Sequence, residues 1–185
     1  MNAIFFSSYL LLWLIVIVLS ITIIDLLKKL KPKAPSLPLQ DQGLNIGTIF
    51  PKFEFLSLNK GMLNINPSNM KGSIIIFTAS TCNGCMAIYP ALEPFLKKNP
   101  NISVTLMMVG EPQSIQEKLE QFNINIPVIS PTEKEMEDMR VSLSPFAYFL
   151  SPTGKILAKG GIPAGMQHIE LLSQMALSSY KNNAA

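Results

Sequence analysis

The chain has only two cysteines, Cys82 and Cys85, and two residues separate them. They follow an apolar run at residues 74–77 and precede a helix-like pattern, so the spacing predicts a strand, a tight turn and a helix N-terminus. A thiol at a helix N-terminus meets unpaired N–H groups and the positive end of the peptide dipoles, and both favour the thiolate. We therefore predict a dithiol-disulfide site in which Cys82 attacks and Cys85 closes the disulfide, releasing what Cys82 has captured.

Other uses of the cysteine pair stay open at this point. A structural disulfide across so short a loop would stabilise the fold little, and a zinc ribbon would need a second ligand pair. Copper binding by the two cysteines and the single histidine, His168, is the main alternative from the class of binding modules. A peroxidase would need Pro and Thr before its cysteine, where this chain has Ile75 and Ala79. Dithiol exchange is the favoured interpretation.

The composition predicts one globular domain and one apolar segment. The chain has 185 residues and 48% apolar content, which is enough for a single core. Its formal net charge of +3 comes from four lysines within Lys28–Lys33 together with Asp25, because eleven basic and eleven acidic residues remain from Ala34 onward. A neutral domain lacks the basic surface that phosphate contacts require, so nucleic-acid binding is not expected.

Residues 4–24 form an uninterrupted apolar segment. These twenty-one residues carry no charge, and a helix of that length would span a hydrocarbon core of about 30 Å. Because no charged region precedes the run and no A-x-A-like cleavage site follows it, we predict a retained transmembrane anchor at residues 1–30 rather than a cleaved signal peptide. The lysines after the run predict, through the positive-inside rule alone, a cytoplasmic domain.

The rest of the chain divides into a linker and a domain. Residues 31–43 carry three prolines among small and polar residues, which predicts a semi-rigid spacer, and residues 44–185 form the domain. Strands are predicted at residues 53–58, 62–65, 73–78, 102–109, 126–129, 146–150 and 155–158, and helices at 86–98, 114–122, 133–139 and 166–180.

The order of these elements predicts an α/β fold, with a mixed sheet covered on both faces by helices. Ser151–Gly154 has Pro at its second position and Gly at its fourth, which indicates a turn that joins the last two strands as an antiparallel hairpin. Gly160 and Gly161 are expected to end the second strand of this hairpin. Pro90 lies within the first helical pattern of the domain, where it should kink the helix.

This order of elements resembles the thioredoxin fold. Pro90, eight residues after Cys82, matches the proline that kinks the active-site helix of that family. Pro145, which follows Ser144, matches the family's cis-proline, which packs against the disulfide and helps to bind the backbone of the partner. Asn45–Phe53 resembles the opening of the membrane-anchored branch that includes TlpA and ResA.

Within that branch, the chain is most similar to MauD-type proteins, accessory factors of methylamine dehydrogenase maturation. The resemblance rests on an uncleaved N-terminal span, on Ala79-Ser80-Thr81 before Cys82, and on Ala158–Gly160 after the hairpin. It implies a membrane-anchored thiol-disulfide oxidoreductase whose domain lies outside the cytoplasm, opposite to the orientation that the lysines predict.

The resemblance also implies the partners and the site. Protein thiols or disulfides would be the substrates, another membrane protein would be the redox partner, and maturation of an exported protein or enzyme would be the role. No cofactor is implied. Ser144 and Pro145 would present backbone to the substrate, with Thr81 beside them.

Three positions depart from the family pattern. Ile76 stands where thioredoxins have a buried acid, and Ile88 stands where ResA-like proteins have a glutamate. Thr81 replaces the usual aromatic residue and is a candidate helix cap. Glu93 is the nearest downstream acid and is interpreted as part of a solvated helix face. We therefore predict that Cys85 loses its proton to substrate or water, unlike the corresponding cysteine of thioredoxin or ResA.

Overall fold

The computed structural model of the chain describes residues 2–29 and 37–183. The chain divides into two compact units, Met1–Ser36 and Leu37–Ala185. In the first unit, helix α1 (Asn2–Lys29) covers the apolar segment. No helix among the described residues is both long enough and apolar enough to cross a bilayer, so the predicted transmembrane span is not confirmed. Residues 30–36, with the first half of the predicted linker, lie outside the described residues.

The second unit contains a central five-stranded sheet and a separate two-stranded hairpin. In chain order its elements are β1 (Glu54–Ser57), β2 (Gly61–Asn64), β3 (Gly72–Ala79), α2 (Tyr89–Lys98), β4 (Ile102–Val109), α3 (Pro112–Gln121), β5 (Val128–Ile129), α4 (Glu133–Asp138), β6 (Phe146–Leu150), β7 (Ile156–Gly161) and α5 (Met166–Asn183). The sheet order is β5-β4-β3-β6-β7, and β1 pairs with β2. The predicted mixed sheet with a C-terminal hairpin is confirmed.

The central strand β3 determines where the site lies. It runs parallel to β4 and antiparallel to β6, and Phe77 near its end faces Phe146 at the start of β6. The loop that leaves β3 and the loop that enters β6 therefore meet at the same edge of the sheet. These two loops carry the cysteine pair and Pro145.

Side chains of the sheet alternate between two separate cores. Ile74 and Ile76 of β3 point to a core shared with α2, α3 and α5, which we call the helix face. Ile75 and Phe77 point to the opposite core, which we call the aromatic face. The large rings of the aromatic face belong to Phe50, Phe55, Phe77, Phe146 and Tyr148.

Helix α2 begins at Tyr89 rather than at the predicted Met86. Pro90 therefore lies in its first turn, where the missing N–H removes no hydrogen bond of the helix and the fixed φ of proline suits the helix start. The predicted kink at Pro90 is therefore wrong, because Pro90 lies at the start of the helix. The proline within the helix is Pro94.

The described part of the predicted linker packs against the domain. Residues 37–44, which we call the strap, begin with the buried Leu37. The carbonyl of Pro38 accepts a hydrogen bond of 2.6 Å from the N–H of Gly161. The Lys159 ammonium donates to the carbonyl of Gly43 over 3.3 Å. This part of the chain is therefore an integral part of the domain.

The observed β7 ends at Gly161 and includes both glycines, whereas the predicted strand ended at residue 158. The strap explains this difference. A Cβ atom on Gly160 would lie 2.6 Å from the Cβ of Leu37, so only glycine lets the strap approach the edge strand. The last two residues of β7 are therefore glycines on which the strap docks.

Candidate functional site

Cys82 and Cys85 are joined by a disulfide, with their Cα atoms 5.4 Å apart. Cys85 is the last residue of a short 3-10 turn, Asn83–Cys85, and Cys82 is the N-cap residue directly before it. The N–H of Cys82 donates to the carbonyl of Ala79 over 3.0 Å, which folds the chain back directly after β3. The predicted sequence of strand, tight turn and helix is present, with a 3-10 turn in place of the first turn of the helix. We call Cys82–Cys85 the disulfide turn.

The two sulfur-bearing residues differ in exposure. Cys85 is 0% exposed and belongs to the core of the helix face, whereas Cys82 is partly buried and packs against the edge of that core. Asn83 and Gly84 between them are exposed. A partner sulfur that arrives from solvent can therefore reach Cys82, and Cys85 can be reached only from within the protein.

The Ser144–Pro145 peptide bond is cis, as predicted. Pro145 is buried, and its Cδ atom would lie 3.7 Å from a Cβ atom on Gly84, which is ordinary van der Waals distance. The structure thus brings Pro145 against the disulfide turn. We call Ser142–Pro145 the cis-proline loop.

Ser144, the residue before the cis-proline, is exposed. Within residues 37–183, neither its N–H nor its carbonyl makes a hydrogen bond to other backbone. Both groups are therefore available to an incoming chain. Thr81 is exposed as well, and it does not cap the turn, because the N-cap position is occupied by Cys82.

The predicted absence of a buried acid near Cys85 is confirmed. Ile76 and Ile88 are both fully buried in the core of the helix face, and no aspartate or glutamate of the described chain is buried. Glu93 is exposed and pairs with Lys97 over 2.7 Å. The hydrogen bond from Lys97 lowers the pKa of Glu93, so its carboxylate belongs to a solvated helix face, as predicted.

His168 is not brought to the cysteines as part of a metal site. It lies on α5, and its Nδ1 accepts a hydrogen bond of 3.3 Å from the N–H of Ala164. Over the two described ranges, no three histidine, cysteine, aspartate or glutamate side chains are grouped as metal ligands. The copper-binding alternative therefore gains no support from the structure.

Sequence comparison finds similar proteins that match most of the chain. No protein-family model matches the sequence. Over 182 residues the chain is 26% identical to the methylamine utilization protein MauD of Methylorubrum extorquens, a match that covers 94% of this chain and 87% of that protein. It is 22% identical to the MauD protein of Paracoccus versutus, with 97% and 98% covered.

Among solved structures, a putative thiol:disulfide interchange protein DsbE from Chlorobium tepidum superposes with a TM-score of 0.63 at 20% identity. The superposition covers 74% of this chain and 98% of that structure. The chain has the thioredoxin fold. The predicted resemblance to thioredoxin-like proteins and to MauD is confirmed.

Two buried hydroxyls lie on the helix face of this thioredoxin fold. Thr78 is near the end of β3, and Tyr89 is the first residue of α2, four residues after Cys85. Burial raises the pKa of Tyr89, and the nearby Thr78 hydroxyl partly offsets that rise. Neither hydroxyl has a partner in full hydrogen-bond geometry within the described structure. Sequence reasoning missed this pair, because Thr78 and Tyr89 lie on different elements that no local pattern connects.

A cavity of about 370 Å³ opens beside the cis-proline loop. Its lining comes from separate parts of the chain, among them Phe77, Val109, Glu133, Met136, Leu143 and Ser144. We call it the side pocket. Sequence reasoning missed it because no periodic pattern links residues from so many segments.

Proposed function

We propose that the protein is a thiol-disulfide oxidoreductase that exchanges disulfides with protein substrates through Cys82 and Cys85. The observation that carries this proposal is a disulfide with one accessible and one buried sulfur, set against a cis-proline loop with free backbone groups. Fold alone does not determine activity. The proposed activity therefore rests on the chemistry of these few residues, and disulfide exchange by them needs no cofactor.

In the oxidising direction, a substrate thiolate attacks Sγ of Cys82. The bond between Cys82 and Cys85 breaks, a substrate–Cys82 disulfide forms, and the electron pair leaves on Sγ of Cys85, which then takes up a proton. A second substrate thiolate attacks the substrate sulfur of the mixed disulfide and releases Cys82 as a thiolate. The substrate loses two electrons to form its disulfide, and the protein gains them as two thiols. Reduction of a substrate is the same sequence in reverse.

Ser144, Pro145 and Thr81 would hold the substrate during this exchange. The free N–H and carbonyl of Ser144 can pair with the backbone of an extended substrate segment, in the manner of an added strand. Pro145 keeps the loop against the disulfide turn, which brings the substrate cysteine to Cys82. Thr81 is exposed directly before Cys82 and would border the bound segment.

The proposal includes a retained N-terminal anchor, with the domain outside the cytoplasm. Support for the anchor is the uncharged run of twenty-one residues, long enough for a hydrocarbon core of about 30 Å. The extracytoplasmic orientation follows the MauD-type resemblance against the lysine distribution. In that location the protein would act in maturation of an exported protein or enzyme and exchange electrons with another membrane protein. An alkaline phosphatase fusion after Ala185 tests the orientation, because a cytoplasmic domain would leave the fusion inactive.

The exchange chemistry is tested with two cysteine variants of the full chain. Cys82→Ser should reduce insulin reduction and thiol oxidation to the uncatalysed rate, because no accessible sulfur remains. Cys85→Ala should accumulate mixed disulfides with substrates, because the resolving sulfur is missing. Both variants should keep the circular dichroism spectrum of the unaltered chain.

Retention of activity in Cys82→Ser would overturn the proposal, as would a Cys85→Ala variant that captures no substrate. One copper ion bound per chain in a manner that depends on His168, without turnover of any thiol substrate, would favour a metallochaperone instead.

A further inference from the structure

The side pocket adjoins the site through one shared residue. Ser144 lines the pocket and also belongs to the cis-proline loop that packs against the disulfide turn. An extended substrate segment that pairs with Ser144 would send successive side chains in opposite directions. One side chain close to the substrate cysteine would therefore point into the pocket.

The pocket lining is mainly apolar, and its neutral polar members are Thr78, Ser142 and Ser144. Phe77 is buried beneath it, and Val109 and Leu143 remain 40% and 47% exposed although they are hydrophobic. Partly buried Met136 adds a flexible thioether to the lining. Exposed apolar residues that surround a cavity beside a reactive group are typical of a binding surface.

One charged group stands in this apolar lining. Glu133 is the only charged residue among those described that border the pocket, and it makes no ion pair with the described cations. Glu135, the other acid in the first turn of α4, is instead held by Lys52 and by the Thr132 cap. The pocket therefore presents apolar contact area and one negative charge that has no ion-pair partner among the described residues.

We propose that the side pocket receives a lysine or arginine side chain of the substrate polypeptide, located within two residues of the substrate cysteine. The aliphatic stem of such a side chain would cover Val109, Met136 and Leu143, while its cationic end would reach Glu133. A leucine would fill the apolar part only, and a glutamate would meet Glu133 with like charge. This assignment of substrate class rests on the proposed function.

The test uses the full chain in its reduced form and mixed disulfides of glutathione with single-cysteine peptides. The peptides carry lysine, leucine or glutamate at each position from two before to two after the cysteine. At one of these positions we expect the lysine peptide to react with a kcat/KM about tenfold above that of the glutamate peptide, with leucine between them. This lysine preference should weaken as salt is added, because the charge pair is near solvent.

Two variants connect the preference to the pocket. Glu133→Gln should bring the ratio of lysine to leucine rates close to one, because the attractive charge is lost. Glu137→Gln is the matched control, since it removes an exposed acid from the same helix that does not line the pocket. It should leave the ratio unchanged.

A binding measurement separates this inference from the proposed function. Peptides with serine in place of cysteine cannot exchange disulfides, and their binding to the oxidised chain is followed through the ¹³C-methyl signal of Met136. The lysine peptide should shift this signal, and Glu133→Gln should weaken the effect. If all peptides exchange at equal rates and the signal stays still, the pocket inference falls and the proposed function stands. If no peptide exchanges but the lysine peptide shifts Met136, the proposed function falls and the pocket inference stands.

Discussion

Each face of the central sheet buries a tyrosine, and the two hydroxyl groups differ in their hydrogen bonding. On the aromatic face, the Tyr148 hydroxyl donates to the carbonyl of Met139 over 2.8 Å and accepts from the N–H of Leu44 over 2.7 Å. On the helix face, the Tyr89 hydroxyl has no partner in hydrogen-bond geometry among the described residues. Burial raises the pKa of Tyr148 to about 12 and raises that of Tyr89 as well.

The same contrast extends to the charged groups. Around the aromatic face, Lys159 fixes the strap and Glu135 joins α4 to Lys52. The helix face holds Cys85 in an apolar core, and its ion pair Lys98–Glu170 joins α2 to α5 at the surface of the domain. The contacts of Lys159 and Glu135 thus lie on the side of the sheet opposite the buried sulfur. Substitutions on the aromatic face should therefore change stability and leave exchange chemistry intact, whereas a charge placed on the helix face should change both.

The largest effect is expected from Ile76→Asp, which returns an acid to the position where thioredoxins have one. Ile76 is fully buried in the same core as Cys85, so the introduced carboxyl would stay protonated in the folded state at pH 7. Ionisation of the unfolded chain alone then lowers the free energy of unfolding by about 4 kcal/mol at pH 7. Because the folded pKa is raised, stability should recover by about 3 kcal/mol between pH 7 and pH 5.

Ile76→Asn is the matched control, since it has the same shape as aspartate and does not titrate. Its loss of stability in urea unfolding should be the same at both pH values. If Ile76→Asp shows no recovery at pH 5, water reaches this part of the core, and the contrast between the two faces is wrong.

Tyr148→Phe should destabilise the domain without slowing disulfide exchange. The change leaves the N–H of Leu44 and the carbonyl of Met139 unpaired, and we expect a loss of about 2–4 kcal/mol in the free energy of unfolding. The rate of insulin reduction per folded molecule should stay the same, because Tyr148 and Cys85 lie on opposite faces. A slower rate at full folding would show that the strap or α4 influences the site.

Most of the central sheet can be predicted from the sequence, because a strand that is buried on both faces is written as an uninterrupted apolar run. The observed strand β4 has the predicted bounds Ile102–Val109, and β6 has the predicted bounds Phe146–Leu150. The contact between Pro145 and the disulfide turn is also predictable, because two recognisable motifs lie at the ends of neighbouring strands.

The strap and the side pocket could not be predicted in the same way. Prolines at positions 32, 35 and 38 are typical of a linker, and only the approach of Leu37 to Gly160 shows that part of this segment docks. Glycines in a strand pattern indicate either an end or a close contact, and the sequence does not distinguish the two. The side pocket depends on Glu133, at the start of α4, and Leu143, in the cis-proline loop, lining one cavity, and no local sequence pattern indicates this.

A smaller effect is expected from Glu135→Gln at the edge of the aromatic face. Burial alone would raise the pKa of Glu135, but hydrogen bonds from Lys52 and Thr132 outweigh it and lower the pKa. The carboxylate therefore contributes stability above the unfolded pKa of 4.5, and that contribution is lost as the pH falls through the lower folded value. We expect a loss of about 0.5–1 kcal/mol at pH 7 that shrinks below pH 4.5.

The control for the Lys52–Glu135 pair is Glu93→Gln, which removes the ion pair between the highly exposed side chains of Lys97 and Glu93. It should have no measurable effect on the urea midpoint at either pH. A loss of stability equal to that of Glu135→Gln would mean that partial burial and the helix cap add nothing to the Lys52 pair.

The smallest effect is expected from Tyr89→Phe, which makes the same chemical change as Tyr148→Phe on the opposite face. Because the Tyr89 hydroxyl is buried and makes no hydrogen bond in full geometry among the described residues, not even with the nearby Thr78 hydroxyl, its removal should change the free energy of unfolding by less than about 0.5 kcal/mol or stabilise the domain slightly. Urea unfolding of both variants under identical conditions gives the comparison directly.

The exchange rate and its pH profile are then measured on Tyr89→Phe. An unchanged profile means that Cys85 exchanges its proton with substrate or water, as the missing acids at Ile76 and Ile88 predict. If Tyr89→Phe shifts the pH profile and Tyr148→Phe does not, the Tyr89 hydroxyl is instead the group that positions the proton of Cys85.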